Sequence, residues 1–335
     1  MKAMVLEAFG PVAAKPLKLM DQPVPDPGPG EILLWVEYCG VCHTDLHIVE
    51  GDLKDARLPI IPGHQVAGIV VKGGEGAGER LPVGTRTGAA WLYAACGYCE
   101  YCLSGLENLC RMARFTGYHV NGGYAEYMVV PEKFAYRIPE TFKNLQAAPL
   151  LCAGIIGYRA LRLSGAKTGA RLGLYGFGAS AHIAIQIARH WGCEVYVFSR
   201  NEAHRRHAVE LGAAWAGDPG DEPPGKHLSS VIFAPAGPVV LKALENTERG
   251  GMVAAAGVTM SPVPELDYAK HLYWERTLRT VANATRQDGE ELLQLASEIP
   301  IKTTTKIFAL KDANEALLEV KESRIKGAAV LKIGK

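Results

Sequence analysis

The chain has 335 residues, of which 48% are apolar and 21% are charged, and its formal net charge is +1. Two domains are expected at this length, because single hydrophobic cores stop growing at about 250–300 residues. No apolar run reaches the ~18–20 residues that span a bilayer, and the amino-terminal segment lacks the apolar region of a signal peptide. The basic residues are scattered and form no patch for nucleic acid. The composition therefore predicts a cytoplasmic globular protein without membrane or nucleic-acid partners.

Residues 1 to about 150 predict a strand-rich, partly open barrel. Short β-branched runs occur at residues 32–36, 67–71 and 124–130, and each is bounded by turns rich in glycine or proline. Such short strands between turn signals are typical of barrels and sandwiches.

From about residue 151 to 285 the pattern changes to alternating strands and helices, which predicts a doubly wound parallel sheet and an overall α/β fold class. The tail, residues 286–335, shows helical patterns at 290–298 and 312–322 and a final strand. We expect this tail to return to the first domain.

Four of the eight cysteines lie within fifteen residues, as Cys96-x2-Cys99-x2-Cys102-x7-Cys110. A reducing compartment is expected without export, so clustered cysteines favour metal binding over disulfides. Four thiolates at these spacings can wrap one Zn²⁺ and leave no position for a substrate, which predicts a structural zinc in a lobe at about residues 91–111. Disulfides and an iron–sulfur cluster are the alternatives, and the chain suggests no electron-transfer partner for a cluster.

A second set of motifs runs through the chain in a fixed order. The matching segments are Gly40-Val-Cys-His-Thr-Asp-Leu-His47, Pro62-Gly-His64, the four-cysteine lobe, Gly122-Gly-Tyr-Ala-Glu-Tyr127 and Leu150-Leu-Cys-Ala-Gly154. Over essentially its whole length, the chain resembles the zinc-dependent alcohol dehydrogenases of the medium-chain dehydrogenase/reductase superfamily. The resemblance implies a GroES-like barrel with the catalytic site, formed by residues 1–150 and 286–335, and a Rossmann cofactor domain at 151–285.

The resemblance also implies a catalytic zinc held by Cys42, His64 and Cys152, with a fourth position open for water or alcohol. Such an ion acts as a Lewis acid and makes an alkoxide accessible near neutral pH. Thr44 and His47 correspond to the family's proton relay, which passes through a ribose hydroxyl of the cofactor. Asp45 resembles the carboxylate that orients the zinc histidine.

The chain departs from the family pattern at several positions. Gln65 stands where the family has glutamate after the zinc histidine, and a neutral amide is expected to alter zinc or product exchange. Ala328 replaces an arginine that reaches the cofactor phosphates, and Ile156 replaces a threonine near the nicotinamide. His43 matches a position that often contacts the pyrophosphate.

The cofactor turn predicted for the second domain is Gly176-Phe-Gly178-Ala-Ser-Ala181, between an apolar strand and a helix. Its small residues let the backbone approach a pyrophosphate at the helix amino terminus. An NAD site would carry an acidic residue at the end of the next strand. That strand ends instead in Ser199 and Arg200, with Arg205 nearby, which favours the 2′-phosphate of NADP. The alternative is that Arg200 stacks on adenine and either cofactor binds.

Trp91 resembles the aromatic residue that narrows the pocket in enzymes for short alcohols, and Leu46 and Leu53 are candidates for further apolar wall. Ordinary core packing is the alternative for Trp91. We therefore expect primary aliphatic or simple aromatic alcohols and their aldehydes as substrates, two Zn²⁺ per chain, and a tetramer or dimer. The competing functions are a zinc-independent quinone or enone reductase and a non-enzymatic scaffold with only the structural zinc.

Overall fold

The computed structural model describes residues 1–53 and 55–334. Its strands are β1 (Lys2–Leu6), β2 (Leu17–Asp21), β3 (Glu31–Val41), β4 (Gln65–Gly73), β5 (Arg86–Ala89), β6 (Leu92–Ala94), β7 (Arg114–Phe115), β8 (Tyr127–Pro131), β9 (Ala135–Arg137), β10 (Arg171–Tyr175), β11 (Glu194–Phe198), β12 (Trp215–Gly217), β13 (His227–Ile232), β14 (Thr247–Ala255), β15 (Thr277–Thr280), β16 (Thr305–Ala309) and β17 (Ala328–Lys332). Its α-helices are α1 (His43–Glu50), α2 (Glu100–Leu103), α3 (Asn144–Ala147), α4 (Ala153–Leu163), α5 (Ala179–His190), α6 (Glu202–Glu210), α7 (Gly237–Glu245), α8 (Tyr268–His271), α9 (Arg286–Glu298) and α10 (Ala313–Lys321).

The chain forms two compact units, one made of Met1–Cys152 with Asn283–Lys335 and the other of Ala153–Ala282. The sequence-based boundaries at 150/151 and 285/286 differ by two or three residues. That difference matters at Cys152, which the sequence placed at the start of the cofactor domain and which here ends the first unit. Within the described ranges, no helix combines the length and the apolar character needed to cross a bilayer.

The first unit is built on a seven-stranded sheet in the order β16-β17-β3-β4-β5-β9, with β8 also paired to β3. Strand β3 is long enough to pair with β8 near its start and with β17 near its end. Strands β3 and β4 are antiparallel, and Gly40 lies opposite Gln65. Cys42 and His64 therefore leave the same end of this strand pair, although 22 positions separate them in the chain.

Close approach within this sheet depends on a glycine. A Cβ on Gly68 would lie 2.2 Å from the Trp35 carbonyl oxygen, so no larger residue fits there without moving β3. A fully buried apolar cluster, which includes Leu34, Val36 and Val66, packs beneath the sheet and fixes the two strands.

The second unit contains a six-stranded parallel sheet in the order β12-β11-β10-β13-β14-β15. This confirms the predicted doubly wound fold. The strand order reverses between β10 and β13, and such switch points carry the ligand site at the carboxyl ends of the strands. The turn after β10 is the predicted cofactor turn.

Candidate metal and cofactor sites

The four cysteines of the predicted lobe lie together, with all Sγ atoms within 4.8 Å of one another. The Sγ atom of Cys102 lies 3.6 Å from that of Cys99 and 3.8 Å from that of Cys96. Sulfurs about 2.3 Å from a central zinc would be about 3.8 Å apart, whereas a disulfide needs about 2.05 Å. The donor set therefore fits tetrahedral zinc and excludes the disulfide alternative for these pairs.

The backbone geometry of the lobe lets the chain turn tightly around the four cysteine sulfurs. Gly97 and Gly105 have φ values of +82° and +74°, a region that glycine enters without strain. The backbone N–H groups of Cys99 and Met112 point at cysteine sulfurs at 3.4 Å. Backbone N–H groups, first that of Tyr98, lower the pKa of the Cys96 thiol to about 6, so a thiolate is available there for a metal.

The second predicted set also converges, since Cys42, His64 and Cys152 place their ligand atoms within 4.8 Å of one another. His64 Nε2 lies 3.4 Å from Cys42 Sγ and 3.3 Å from Cys152 Sγ. Ligands at ordinary zinc distances in a tetrahedron would be about 3.5 Å apart. Two sulfurs and one imidazole nitrogen thus fit zinc and leave a fourth corner without a protein ligand among the described residues.

Asp45 fixes the orientation of two groups at this site, the His64 imidazole and the Cys42 backbone. Its Oδ1 accepts a hydrogen bond from His64 Nδ1 at 2.9 Å, and its Oδ2 accepts one from the Cys42 backbone N–H at 3.0 Å. The second bond belongs to the capping box that starts α1. Because Nδ1 donates to Asp45, Nε2 is the His64 nitrogen that faces the two sulfurs, and it would bind a metal once it is deprotonated.

Hydrogen bonds and charge favour the ionised form of Cys42. A hydrogen bond from Cys152, followed by His64 and Thr44, holds the pKa of Cys42 well below its ordinary value against the opposing effect of burial. The pKa of Cys152 rises correspondingly, first because of its hydrogen bond to Cys42. Burial lowers the pKa of His64, but the charges of Asp45 and Cys42 outweigh it and raise that pKa to about 10 in the metal-free chain.

The cofactor turn has the geometry that its small residues predict. Gly176 has a φ of +90°, and a Cβ there would lie 2.8 Å from the Ala234 nitrogen. A Cβ on Gly178 would meet no atom of the described residues within 4 Å, so the turn is open above α5 in this part of the chain. Ala181 is fully buried, which allows close packing of α5. The N-cap residue of α5, Gly178, makes no side-chain hydrogen bond to the helix, and the first N–H groups of α5 suit a pyrophosphate.

The comparisons with known proteins agree with this geometry. Residues 28–140 match the family described as "Alcohol dehydrogenase GroES-like domain", and residues 181–298 match "Zinc-binding dehydrogenase". A protein of Mycobacterium tuberculosis (strain CDC 1551 / Oshkosh) named "Probable alcohol dehydrogenase AdhA" is 45% identical, over 99% of this chain and 97% of the relative. An alcohol dehydrogenase of Geobacillus stearothermophilus is 34% identical over 99% of this chain and all of the relative.

The chain belongs to the zinc-dependent alcohol dehydrogenases of the medium-chain superfamily. A solved thermostable alcohol dehydrogenase from Pyrobaculum aerophilum with cobalt and zinc bound has a TM-score of 0.90 and 26% identity, with 99% of each chain covered. The predicted resemblance is confirmed, and the chain is an NAD(P)-dependent dehydrogenase. Neither the zinc-independent reductase nor the non-enzymatic scaffold is favoured.

Two predicted relay residues of this alcohol dehydrogenase lie on α1. Thr44 is buried beside the Cys42 thiol. His47 is one turn further on, and its Nδ1 lies 2.7 Å from Asp52 Oδ2. Asp52 was not predicted; its position five residues after His47, beyond the end of α1, gives no periodic signal. His43 starts the same helix, with its ring centroid 6.4 Å from that of His47.

Gln65, which stands where the family has glutamate, has a buried side chain with little space around it. It is 2% exposed, and its amide nitrogen has no hydrogen-bond partner within residues 1–53 and 55–334. A Cβ on Gly40 would lie 2.8 Å from the Gln65 side chain, so the amide lies directly over the strand that leads to Cys42. A buried unpaired amide donor is costly, and it marks this position for functional tests.

Among the predicted pocket residues, Trp91 lies against the zinc-ligand set. Its ring packs edge-on to the His64 ring, with centroids 5.0 Å apart, and stacks on Phe115. Leu46 is buried in the hydrophobic core of the first unit, and Leu53 packs partly buried against that core. Ala328 is also buried, in β17, and Ile156 lies on α4 of the other unit.

The three residues predicted to favour NADP over NAD lie at or near the end of β11. Ser199 is buried, and its hydroxyl accepts a hydrogen bond from the Asn201 N–H. Arg205 donates from Nη1 to the carbonyl oxygens of Ser199, at 2.7 Å, and Arg200, at 3.2 Å. The Arg200 side chain is exposed. Arg205 therefore braces the backbone of this turn, a role that the sequence did not predict.

Proposed function

We propose that this chain oxidises primary alcohols, short aliphatic or simple aromatic, to aldehydes in a reversible reaction with a catalytic zinc at Cys42, His64 and Cys152. The convergence of these three side chains, with Asp45 behind His64, is the observation that carries the proposal. Zinc bound there would supply the Lewis acidity that makes an alcohol hydroxyl acidic near neutral pH. A second zinc at the four-cysteine lobe is structural.

Thr44 and His47 are proposed to carry the alcohol proton from the site to solvent. The burial of Thr44 beside Cys42 keeps its hydroxyl near the metal ligands. His47 is the partly exposed end, and a histidine can exchange protons with water near pH 7. Asp52 Oδ2 lies 2.7 Å from Nδ1 of His47, and this contact orients the imidazole at the end of the proposed relay.

NADP is the proposed cofactor in preference to NAD. No acidic residue follows β11 directly, and the nearest one, Glu202, forms an ion pair with Arg206. Arg200 stays exposed at the end of the strand, where a 2′-phosphate would need a cation. His43, Gly176, Gly178, Ala181, Ser199 and Arg205 complete the proposed cofactor set.

Trp91, with Leu46 and Leu53, is proposed to form the apolar wall that selects small alcohols. The edge-on contact of Trp91 with His64 supports this role, because the indole then borders the metal-ligand set. We also propose that copies of the chain assemble as a dimer or tetramer in the cytoplasm. Strand β15 is an exposed edge of the parallel sheet, and exposed edges are ready to pair with another chain.

Metal analysis combined with a cofactor comparison tests the proposal. We expect two zinc ions per chain, alcohol-dependent reduction with ethanol and benzyl alcohol, and a higher kcat/KM with NADP than with NAD. A clear preference for NAD would overturn the cofactor assignment. One zinc per chain and no activity across a broad alcohol panel would overturn the catalytic proposal.

A further inference from the structure

Asn283 links the four-cysteine lobe to the side chain of Trp91. Its Oδ1 accepts a hydrogen bond from Trp91 Nε1 at 2.9 Å. Its Nδ2 donates to the backbone carbonyl of Asn108 at 3.2 Å. The Asn283 amide thus accepts a hydrogen bond from the Trp91 indole and donates one to the lobe.

The backbone of Asn283 is adapted to this position. Its φ is +57°, a left-handed conformation in which asparagine is among the few tolerated residues other than glycine. The carbonyl oxygen of Asn108 accepts the hydrogen bond from Asn283 Nδ2 and so fixes the direction of that nitrogen. Asn108 is part of the lobe, in the short 3₁₀ helix Glu107–Leu109 that precedes Cys110. The amide therefore presents its oxygen, and not its nitrogen, to the indole.

The lobe segment that receives Asn283 is itself firmly held. Arg286 binds both carboxylate oxygens of Glu107, through Nε at 2.9 and 3.0 Å and through Nη2 at 2.6 Å. The Arg286 backbone N–H also donates to Glu107. The Asn108 carbonyl is consequently a fixed acceptor, and its position determines the orientation of the Asn283 amide.

We propose that Asn283 is a positioning residue that holds the Trp91 indole edge-on to His64 and so sets the shape of the alcohol pocket. The indole is stacked on Phe115 and Tyr118, with centroid distances of 4.9 and 5.8 Å, and stacking is less directional than a hydrogen bond. The hydrogen bond to Asn283 adds the directional contact that fixes the position of the ring within the stack. This inference rests on the proposed function only in assigning Trp91 to the pocket.

Two substitutions separate positioning from simple structural support. Asn283→Gly removes both hydrogen bonds without imposing backbone strain, because glycine accepts positive φ. Asn283→Asp keeps an acceptor for the indole but loses the donor to Asn108. Both variants are expected to lower Tm, since each loses the bond to the lobe. Only Asn283→Gly is expected to raise KM for benzyl alcohol, by about fivefold, with kcat for ethanol close to that of the unmodified enzyme.

The NMR signal of the Trp91 indole N–H tests the proposal without an activity assay. The ¹⁵N-labelled enzyme has five tryptophan N–H signals, one for each tryptophan, and Trp91→Phe identifies the signal of Trp91. We expect that signal to exchange slowly with solvent in the unmodified enzyme and in Asn283→Asp, and quickly in Asn283→Gly. Trp91→Phe combined with Asn283→Gly should raise KM no further than Trp91→Phe alone.

Asn314→Ala is the matched control, because it removes an asparagine amide that makes two buried hydrogen bonds to the Leu17 backbone and does not bond to Asn283, Asn108 or Trp91. If KM rises in proportion to the loss of Tm across all these variants, Asn283 has only a structural role and the proposal is overturned. An unchanged Trp91 signal in Asn283→Gly would overturn it as well. An enzyme without alcohol-dependent activity would refute the proposed function, while the indole signal would still decide the role of Asn283.

Discussion

The carboxylate of Asp45 offers the sharpest test of the catalytic metal site. It is completely buried and accepts two hydrogen bonds, one from His64 Nδ1 and one from the Cys42 backbone N–H. In Asp45→Asn the side chain has one acceptor oxygen and one donor nitrogen. One of the two buried donors must then lose its acceptor, or His64 must move its proton to Nε2, where it blocks metal binding.

The size of the effect follows from these two options. A buried donor left without an acceptor costs about 1–3 kcal/mol. Removal of a carboxylate that orients a metal histidine lowers metal affinity by about 10- to 100-fold, which corresponds to about 1.4–2.7 kcal/mol. Because both estimates agree, we expect Asp45→Asn to weaken zinc at Cys42, His64 and Cys152 by one to two orders of magnitude.

Competition with a zinc chelator, followed by metal analysis, measures this loss. The four-cysteine lobe is an internal control, since its zinc has no contact with Asp45 and should be released at the same chelator concentration in both proteins. Asp52→Asn serves as the matched variant, because it neutralises a partly exposed carboxylate just beyond the same helix. Equal retention of both zinc ions in Asp45→Asn and in the unmodified enzyme would refute the reasoning.

Three further predictions concern other residues. Gln65→Glu adds a negative charge beside the zinc ligands, so zinc should be retained more strongly and turnover should change; identical zinc retention and turnover would remove any role for the amide. Asp52→Asn should reduce kcat for alcohol oxidation by about two- to fivefold, as expected for a partly exposed ion pair, and should have no effect in a His47→Gln background. Burial lowers the pKa values of both His182 and His227 to about 4. In the unfolded chain the histidine pKa is about 6.5, so on acidification the unfolded state takes up protons before the folded state does. The free energy of unfolding is therefore highest above pH ~6.5 and decreases between pH ~6.5 and ~4. At pH 5 the loss is ~2 kcal/mol for each histidine. Urea titrations at pH 7 and 5 should therefore show a smaller decrease for His227→Phe than for the unmodified enzyme, and equal decreases would contradict this account.

The sequence alone determined the features that depend on local spacing. The four cysteines of the lobe lie within fifteen residues, and the chain between them needs only two glycine turns to bring the sulfurs together. The cofactor turn is equally local, because Gly176, Gly178 and Ala181 act through the strand and helix that they connect. Strand–helix alternation predicted the parallel sheet for the same reason.

The long-range partners were decided by the tertiary structure. The pairing of Gly40 with Gln65 brings Cys42 to His64, and resemblance rather than spacing predicted that result. Asp52 and Asn283 carry no motif at all, and the partners of Arg205 are backbone carbonyls that no side-chain pattern reveals.

The contact between Asn283 and Trp91 joins residues 192 positions apart. Such a contact depends on where the chain returns after the cofactor unit, and local propensity holds no information about that return. The sequence therefore identified the candidate metal-binding groups, while only the folded chain determined which side chains hold those groups in place.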